Sequence, residues 1–287
     1  PGIETWRMNL IPLNAILRHN ADVFGPDAAG LIDGDEVVSW SQLEVAANRR
    51  ARLIQAQGVG PGDVVTFNLP NGLEFFETTF ALWKLGATPN PISPKLPAPE
   101  LGAMLEAARP ALFIGDGEGA GAPAGLRRLP RAVDTAGLSG QPLEEVVSEQ
   151  WKAITSGGST GRPKVIVDHR RAVFDVDAPT LNQPSHGVVL NPGPLYHNAP
   201  FVLSHEAMCV GATVVNMGRF DPERALALID AYRVQWVNFV PTMMARIWRL
   251  PEDVRASYDV SSLQTVYHMA SAMPVWLKEA WIDWLGA

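Results

Sequence analysis

Between two short apolar runs the chain reads "ITSGGSTGRPKVIVD", residues 154–168. Gly157, Gly158 and Gly161 allow unusual backbone dihedrals and close approach, so successive N–H groups can converge on an anion. Ser156, Ser159 and Thr160 add hydroxyl donors, and Lys164 adds a compact positive charge just after Pro163. Converging donors with one cation are what a chain of phosphates requires. The spacing is not that of a Walker A loop, which needs G-x-x-x-x-G-K-[ST] opening into a helix. Here a proline precedes the lysine and the β-rich "KVIVD" follows it. Two readings stand on these residues alone: a phosphate cradle between two strands, or a plain flexible hairpin with a solvated lysine.

A second candidate is His197, within "PGPLYHNAP" at residues 192–200. A neutral imidazole can hydrogen-bond a carboxylate or a phosphate oxygen. A single loop histidine can equally be just a hydrogen-bonded or exposed residue. His19, His169, His186, His205 and His268 show no paired spacing for a metal, so no metal site is expected. No G-x-S-x-G elbow surrounds Ser159 or Thr160, so neither is expected to be a nucleophile.

These residues need elements to hold them. Ser41 with Glu44 reads as a capping box, followed by apolar Leu43, Ala46, Ala47, Leu53 and Ile54 at helical spacing, with Gly58 closing the helix. "VVTFNL" reads as a buried strand, "GLEFFETTFALWKLG" and "APELGAMLEAARP" as helices, and "ALFIGD" as a strand. Residues 115–145 are rich in Gly, Ala and Pro and read as a linker or surface connection. Beyond it, "KAIT" and "KVIVDH" flank the glycine-rich motif as strands. "HGVVLNPGPLYH" reads as a strand running into a loop, "GATVVNM" as a strand, "DPERALALIDAYR" as a helix and "VQWVNFV" as a strand. Pro241 opens the helix "TMMARIWRL", "LQTVYHMAS" reads as a strand and "PVWLKEAWIDWLG" as a helix. The alternation implies an α/β fold with mostly parallel strands. Two α/β subdomains are expected, 1–145 and 146–287, the second carrying the glycine-rich motif.

Composition narrows the class. With 47% hydrophobic and 18% charged residues the 287-residue chain can bury a sizeable core. A net charge of −7 argues against a nucleic-acid binder working through bulk positive charge. Cys209 is the one cysteine, which excludes an intrachain disulfide and suits a reducing, cytoplasmic compartment. No apolar run is long enough to span a bilayer. The opening residues lack the pattern of a signal peptide. Because the chain begins at proline, its initiator is expected to be missing.

"SGGSTGRPK", Ser156 to Lys164, resembles the phosphate-loop signature of the adenylate-forming superfamily at all nine positions. That superfamily comprises acyl-CoA synthetases, luciferases and the adenylation domains of non-ribosomal peptide synthetases. Val165 stands where a glycine commonly follows the lysine, and Ala153 where a larger apolar residue is usual. "GATPNPISPKLPAPEL", residues 86–101, resembles a further structural segment of the family.

The resemblance implies the fold of the superfamily's large N-terminal domain. It implies that Ser156, Gly157, Gly158, Ser159, Thr160, Gly161 and Lys164 hold ATP phosphates, with Lys164 and His197 catalytic. Tyr196, His197 and Asn198 match the substrate-side motif, and "NFVPTMMARI" resembles the segment flanking the acyl pocket, with Phe239, Thr242 and Met243 as candidate lining, each open to plain core packing instead. "YHMASAMP" resembles the turn that lies against adenine, carried by Ala270, Ser271 and Ala272, although the expected glycines at Met269 and Ala270 are absent.

The implied activity is ATP-dependent conversion of a carboxylic acid to an acyl-adenylate and then a coenzyme A thioester, with ATP, Mg2+ and coenzyme A taking part. An apolar acid is expected, fatty, aryl or steroid-like. A non-catalytic nucleotide- or acyl-binding remnant is the alternative, and homo-oligomerisation is left open. The family's Tyr-Gly-x-Thr-Glu motif, ribose-binding Asp, hinge and small C-terminal domain fall beyond Ala287. The chain is therefore expected to be a truncated fragment not competent for the full reaction.

Overall fold

The computed structural model describes residues 8–156 and 163–286. The chain opens with β1 (Leu10–Pro12), α1 (Ile16–Phe24), β2 (Ala29–Asp33) and β3 (Glu36–Ser39). Next come α2 (Trp40–Gln55), β4 (Val64–Phe67), α3 (Leu73–Lys84), β5 (Thr88–Pro91), α4 (Ala98–Ala108), β6 (Leu112–Ile114) and β7 (Arg128–Leu129). The middle carries β8 (Lys152–Ser156), β9 (Lys164–Asp168), β10 (Val173–Asp175), β11 (Val188–Asn191), α5 (Asn198–Cys209) and β12 (Thr213–Asn216). The last part adds α6 (Pro222–Tyr232), β13 (Trp236–Phe239), α7 (Pro241–Trp248), α8 (Glu252–Ala256), β14 (Thr265–His268) and α9 (Val275–Leu285).

The described residues form two compact units. One holds residues up to Ala28, Ser39–Ala178 and Leu195–Asn198; the other holds Ala29–Val38, Pro179–Pro194 and the residues from Ala199 onward. This division differs from the expected cut after residue 145. The cause is visible in the hydrogen bonds that fasten β8 and the two residues before it to β5 and α3. Thr155 Oγ1 donates to Asn90 Oδ1 at 2.9 Å, Thr88 Oγ1 to the Gln150 carbonyl at 3.1 Å, and Trp83 Nε1 to the Trp151 carbonyl at 2.6 Å. The glycine-rich motif's flanking strands, a two-stranded sheet of their own, therefore fall in the same unit as the first sheet.

In the first unit a four-stranded parallel sheet runs in the order β5-β4-β6-β7. Helix α3 is buried almost all round, at Phe75, Phe76 and every residue from Thr78 to Lys84, as expected for a helix apolar on all faces. Helix α2 is capped two residues earlier than the sequence suggests. Ser39 Oγ accepts from Gln42 N at 3.3 Å, and Gln42 Oε1 accepts from Ser39 N at 2.8 Å, a capping box shifted from the expected Ser41–Glu44. Glu44 is engaged elsewhere: its Oε2 lies 2.7 Å from the buried Lys84 ammonium. Residues 115–145, read as a linker, contribute strand β7, and Asn48, Arg49 and Arg52 on α2 donate to carbonyls of Gly140, Leu138, Gln141 and Pro142.

In the second unit a six-stranded sheet runs in the order β14-β13-β11-β12-β2-β3. The β14–β13, β13–β11, β11–β12 and β12–β2 pairs are all parallel. Leu190, Val215, Leu226, Ile229, Val237, Phe239, Ile247 and Trp281 fill its core against α6, α7 and α9. Helix α5, missed in the sequence, is buried at Phe201 and from Leu203 to Cys209, so it shows no polar face for periodicity to detect.

Candidate functional site

The first half of the site is an antiparallel hairpin. Strands β8 and β9 pair from Lys152–Asp168 at the base to Ser156–Lys164 at the mouth. The proline before Lys164 and the β-branched run after it keep the chain extended, which delivers the lysine at the mouth of the hairpin rather than on a helix. Lys164 is exposed there. Gly157, Gly158, Ser159, Thr160 and Gly161, the expected phosphate donors, lie outside the described residues, as does the side chain of Ser156.

The base of the hairpin carries an aromatic and ionic cluster. The Trp151 ring stacks on Trp83 at 6.2 Å and 15°, and the Lys152 and Arg170 cations lie 5.3 Å and 5.0 Å from its centroid. Lys152 is buried, its side chain 7% exposed, and its ammonium sits 3.5 Å from Asp168 Oδ2. Arg170 reaches the same carboxylate at 3.0 Å. Burial alone would push the Asp168 carboxyl up, but hydrogen bonds led by Arg170 and the Arg170 charge outweigh it and hold the carboxyl well below its usual range.

The turn bearing Tyr196, His197 and Asn198 belongs to the same unit as the hairpin. The Tyr196 and His197 rings lie 4.6 Å apart and tilted by 50°. His197 is exposed on one side, yet partial burial lowers its pKa and so favours the neutral imidazole. Asn198 Oδ1 accepts from Lys152 Nζ at 2.9 Å, and Leu195 N donates to Asn71 Oδ1 at 2.8 Å. Both flanks of His197 are thus tied to the body of the unit. The sequence reading passed over Asn71 and Lys152. A lysine opening a strand reads as solvated, and no local pattern marks an asparagine that bonds 124 residues away.

The remaining candidates lie in the second unit. Phe239 is fully buried in the core of the unit against Phe220 and Trp281, with centroids 6.4 Å and 5.9 Å away. Thr242 is exposed on α7, and Met243 packs half-buried on the core. A cavity of about 730 Å³ lies between β14 and α9, lined by Met244, Val266, His268, Met273, Trp281 and Trp284 among others; Phe239, Thr242 and Met243 are not in its wall. Ala270, Ser271 and Ala272 form an exposed turn after β14. Ala270 has φ +75°, the left-handed region that favours glycine, at one of the two positions where the sequence reading expects a glycine.

A polar row, buried at Asn191 and Asn216 and part-buried at Asp33, crosses the carboxyl ends of the parallel strands. Asn191 Nδ2 donates to Asn216 Oδ1 at 3.1 Å, and Asn216 Nδ2 donates to Asp33 Oδ1 at 2.8 Å. Asn191 also bonds both the N–H and the carbonyl of Gly193, which shapes the turn that leaves β11. Among the described residues no group of three or more His, Cys, Asp or Glu side chains can hold a metal ion. No described helix is long and apolar enough to cross a membrane.

Comparison with known proteins agrees with the fold. The profile of the AMP-binding enzyme family matches residues 17–287. Feruloyl-CoA synthase from an Amycolatopsis species is 28% identical over 268 residues, covering 90% of this chain and 54% of that protein. Pyochelin synthase PchD from Pseudomonas aeruginosa is 30% identical over 268 residues, covering 83% of this chain and 48% of that protein. The chain spans about half the length of the curated relatives it matches. The inhibitor-bound N-terminal domain of FACL13 from Mycobacterium tuberculosis superposes with a TM-score of 0.81 at 22% identity, over 95% of this chain and 73% of that one. With a family profile matched from residue 17 to the last residue, over the α/β layers just described, the chain belongs to the AMP-binding enzyme family.

Proposed function

We propose that the chain supplies the phosphate-binding hairpin and acyl-side turn of an enzyme that joins a carboxylic acid to a thiol. The carboxylate oxygen attacks the α-phosphorus of ATP, the α–β phosphoanhydride bond breaks, and pyrophosphate leaves. In a second step the thiol of coenzyme A attacks the acyl carbon and AMP departs. The carboxylate is already ionised near neutral pH, so the first step needs no general base. Its barrier is electrostatic, because two anions meet and a third carries charge away. Lys164 at the mouth of the hairpin, with the donors of 156–161, would offset that charge on the β- and γ-phosphates. His197, whose neutral form partial burial favours, would hydrogen-bond the carboxylate or the transferring phosphate.

The observation that carries this reading is the nine-residue match from Ser156 to Lys164 as the connection of an antiparallel hairpin. Named relatives such as feruloyl-CoA synthase support a coenzyme A acceptor. The apolar residues around 196–248 favour a fatty, aryl or steroid-like acid, and a cytoplasmic setting suits the nucleotide. ATP–pyrophosphate exchange by the complete gene product with a panel of such acids tests the claim. Lys164→Ala is expected to slow exchange about 100–1,000-fold, the scale of losing one preorganised charge-stabilising group. No exchange with any acid in the panel, or an unaffected Lys164→Ala variant, overturns it.

A further inference from the structure

We propose that Lys152 is a positioning residue for this reaction: from the base of the phosphate hairpin it fixes the turn 195–198 that carries His197. The inference rests on the function proposed above, and adds a residue that the signature motifs do not include. Lys152 and Asp168 are the basal registered pair of β8 and β9. The Lys152 side chain is 7% exposed, and a buried ammonium is tolerated only where its protons find acceptors. Two acceptors are in place, Asp168 Oδ2 at 3.5 Å and Asn198 Oδ1 at 2.9 Å. An ammonium only donates, so the Asn198 amide must turn its oxygen toward Lys152 and its NH2 away. That sets the rotamer of the residue directly after His197.

The other flank is held in a parallel way, by Leu195 N donating to Asn71 Oδ1 at 2.8 Å. Tyr196 and His197 lie between these two anchors, their tilted rings 4.6 Å apart on the short backbone that links them. The same hairpin that ends in Ser156 and Lys164 thus begins with the group that sets the His197 turn. Lys164 and the His197 turn are thus joined to the two ends of one hairpin. A displacement of about 1 Å at such a group can cost on the order of 100-fold in rate.

Lys152→Met, Asn198→Ala, their double variant and Lys152→Arg provide the test, all in the complete gene product. Two readouts are used: ATP–pyrophosphate exchange, and amide hydrogen exchange of peptides covering 194–200. Lys152→Met is expected to lower kcat/KM for the acid about 10–100-fold, with the double variant no worse than the poorer single and Lys152→Arg restoring most of the loss. Hydrogen exchange should rise at 195–200 and stay unchanged along β8 and β9. Additive losses in the double variant overturn the inference. So does a uniform rise in hydrogen exchange through the unit, the mark of a merely stabilising ion pair. Should the unaltered protein exchange no pyrophosphate, the proposed function falls, and the hydrogen-exchange arm still decides the clamp: unchanged protection at 195–200 in Lys152→Met refutes it.

Discussion

His205 offers the sharpest pH test of the structure. It lies two turns into α5, the helix that starts immediately behind His197. Its side chain is fully buried, Nδ1 lies 2.7 Å from the Phe201 carbonyl oxygen, and its ring packs 4.3 Å from that of Phe201. Burial penalises the imidazolium and pushes the pKa down to about 4, against a smaller opposing pull from the Phe201 hydrogen bond. In the unfolded chain a histidine titrates near 6.5. Between these values the unfolded state binds a proton that the folded state refuses. The stabilisation is therefore complete above the unfolded pKa and drains away as pH falls toward about 4. Linkage puts the loss at about 2 kcal/mol by pH 5 and about 3 kcal/mol by pH 4. Carboxylates titrate at the acid end of the window too, so the informative quantity is a difference. Urea denaturation followed by tryptophan fluorescence at pH 7 and pH 5 should show the wild type losing about 2 kcal/mol more than His205→Gln, which lacks the titrating group. Parallel losses in the two proteins would refute the reasoning, since His205 would then be protonated as readily folded as unfolded.

Three further outcomes follow from single sites. Glu44→Gln strips the counter-charge from Lys84, whose ammonium sits 2.7 Å from Glu44 with a side chain 5% exposed; it should cost about 3–5 kcal/mol, whereas Glu44→Leu with Lys84→Met should come close to wild type. Equal destabilisation of the two variants in urea denaturation would contradict that account. At Ala270, where an L-residue at φ +75° carries roughly 1–2 kcal/mol of strain, thermal stability should rank glycine at or above alanine and both above valine. A valine variant more stable than the glycine one would mean the turn is not left-handed. Because desolvation lowers the His197 pKa, the acid limb of pyrophosphate exchange should have its midpoint below the ordinary histidine value of about 6.5 and vanish in His197→Gln; a midpoint at or above that value would remove the case for a neutral imidazole.

Legibility in the sequence followed locality. Strands such as Val64–Phe67 and Trp236–Phe239 were readable because each is a short apolar run bounded by turn residues. Helix α6 was readable because Asp221 caps it, Pro222 opens it and its apolar residues recur on one face. Helix α5 was not, because burial on every side erased the periodicity that reports a helix. The cap of α2 was misplaced by two residues because Ser41–Glu44 and Ser39–Gln42 satisfy the same short pattern, and only a contact 40 residues away, with Lys84, shows that Glu44 is engaged elsewhere.

The site divides along the same line. Its proposed phosphate motif is contiguous and visible as a pattern, whereas the support for His197 comes from Asn71 and Lys152, which are 124 and 46 residues from the atoms they hold. Phe239 makes a related point: beside a family motif an aromatic can be pocket lining or core, and its packing against Phe220 and Trp281 is visible only in three dimensions. A motif names the groups that touch a ligand, because those groups must recur in a fixed local order. The groups that aim them are chosen by whatever the fold happens to bring near, so in this chain they had to be found in the hydrogen bonds.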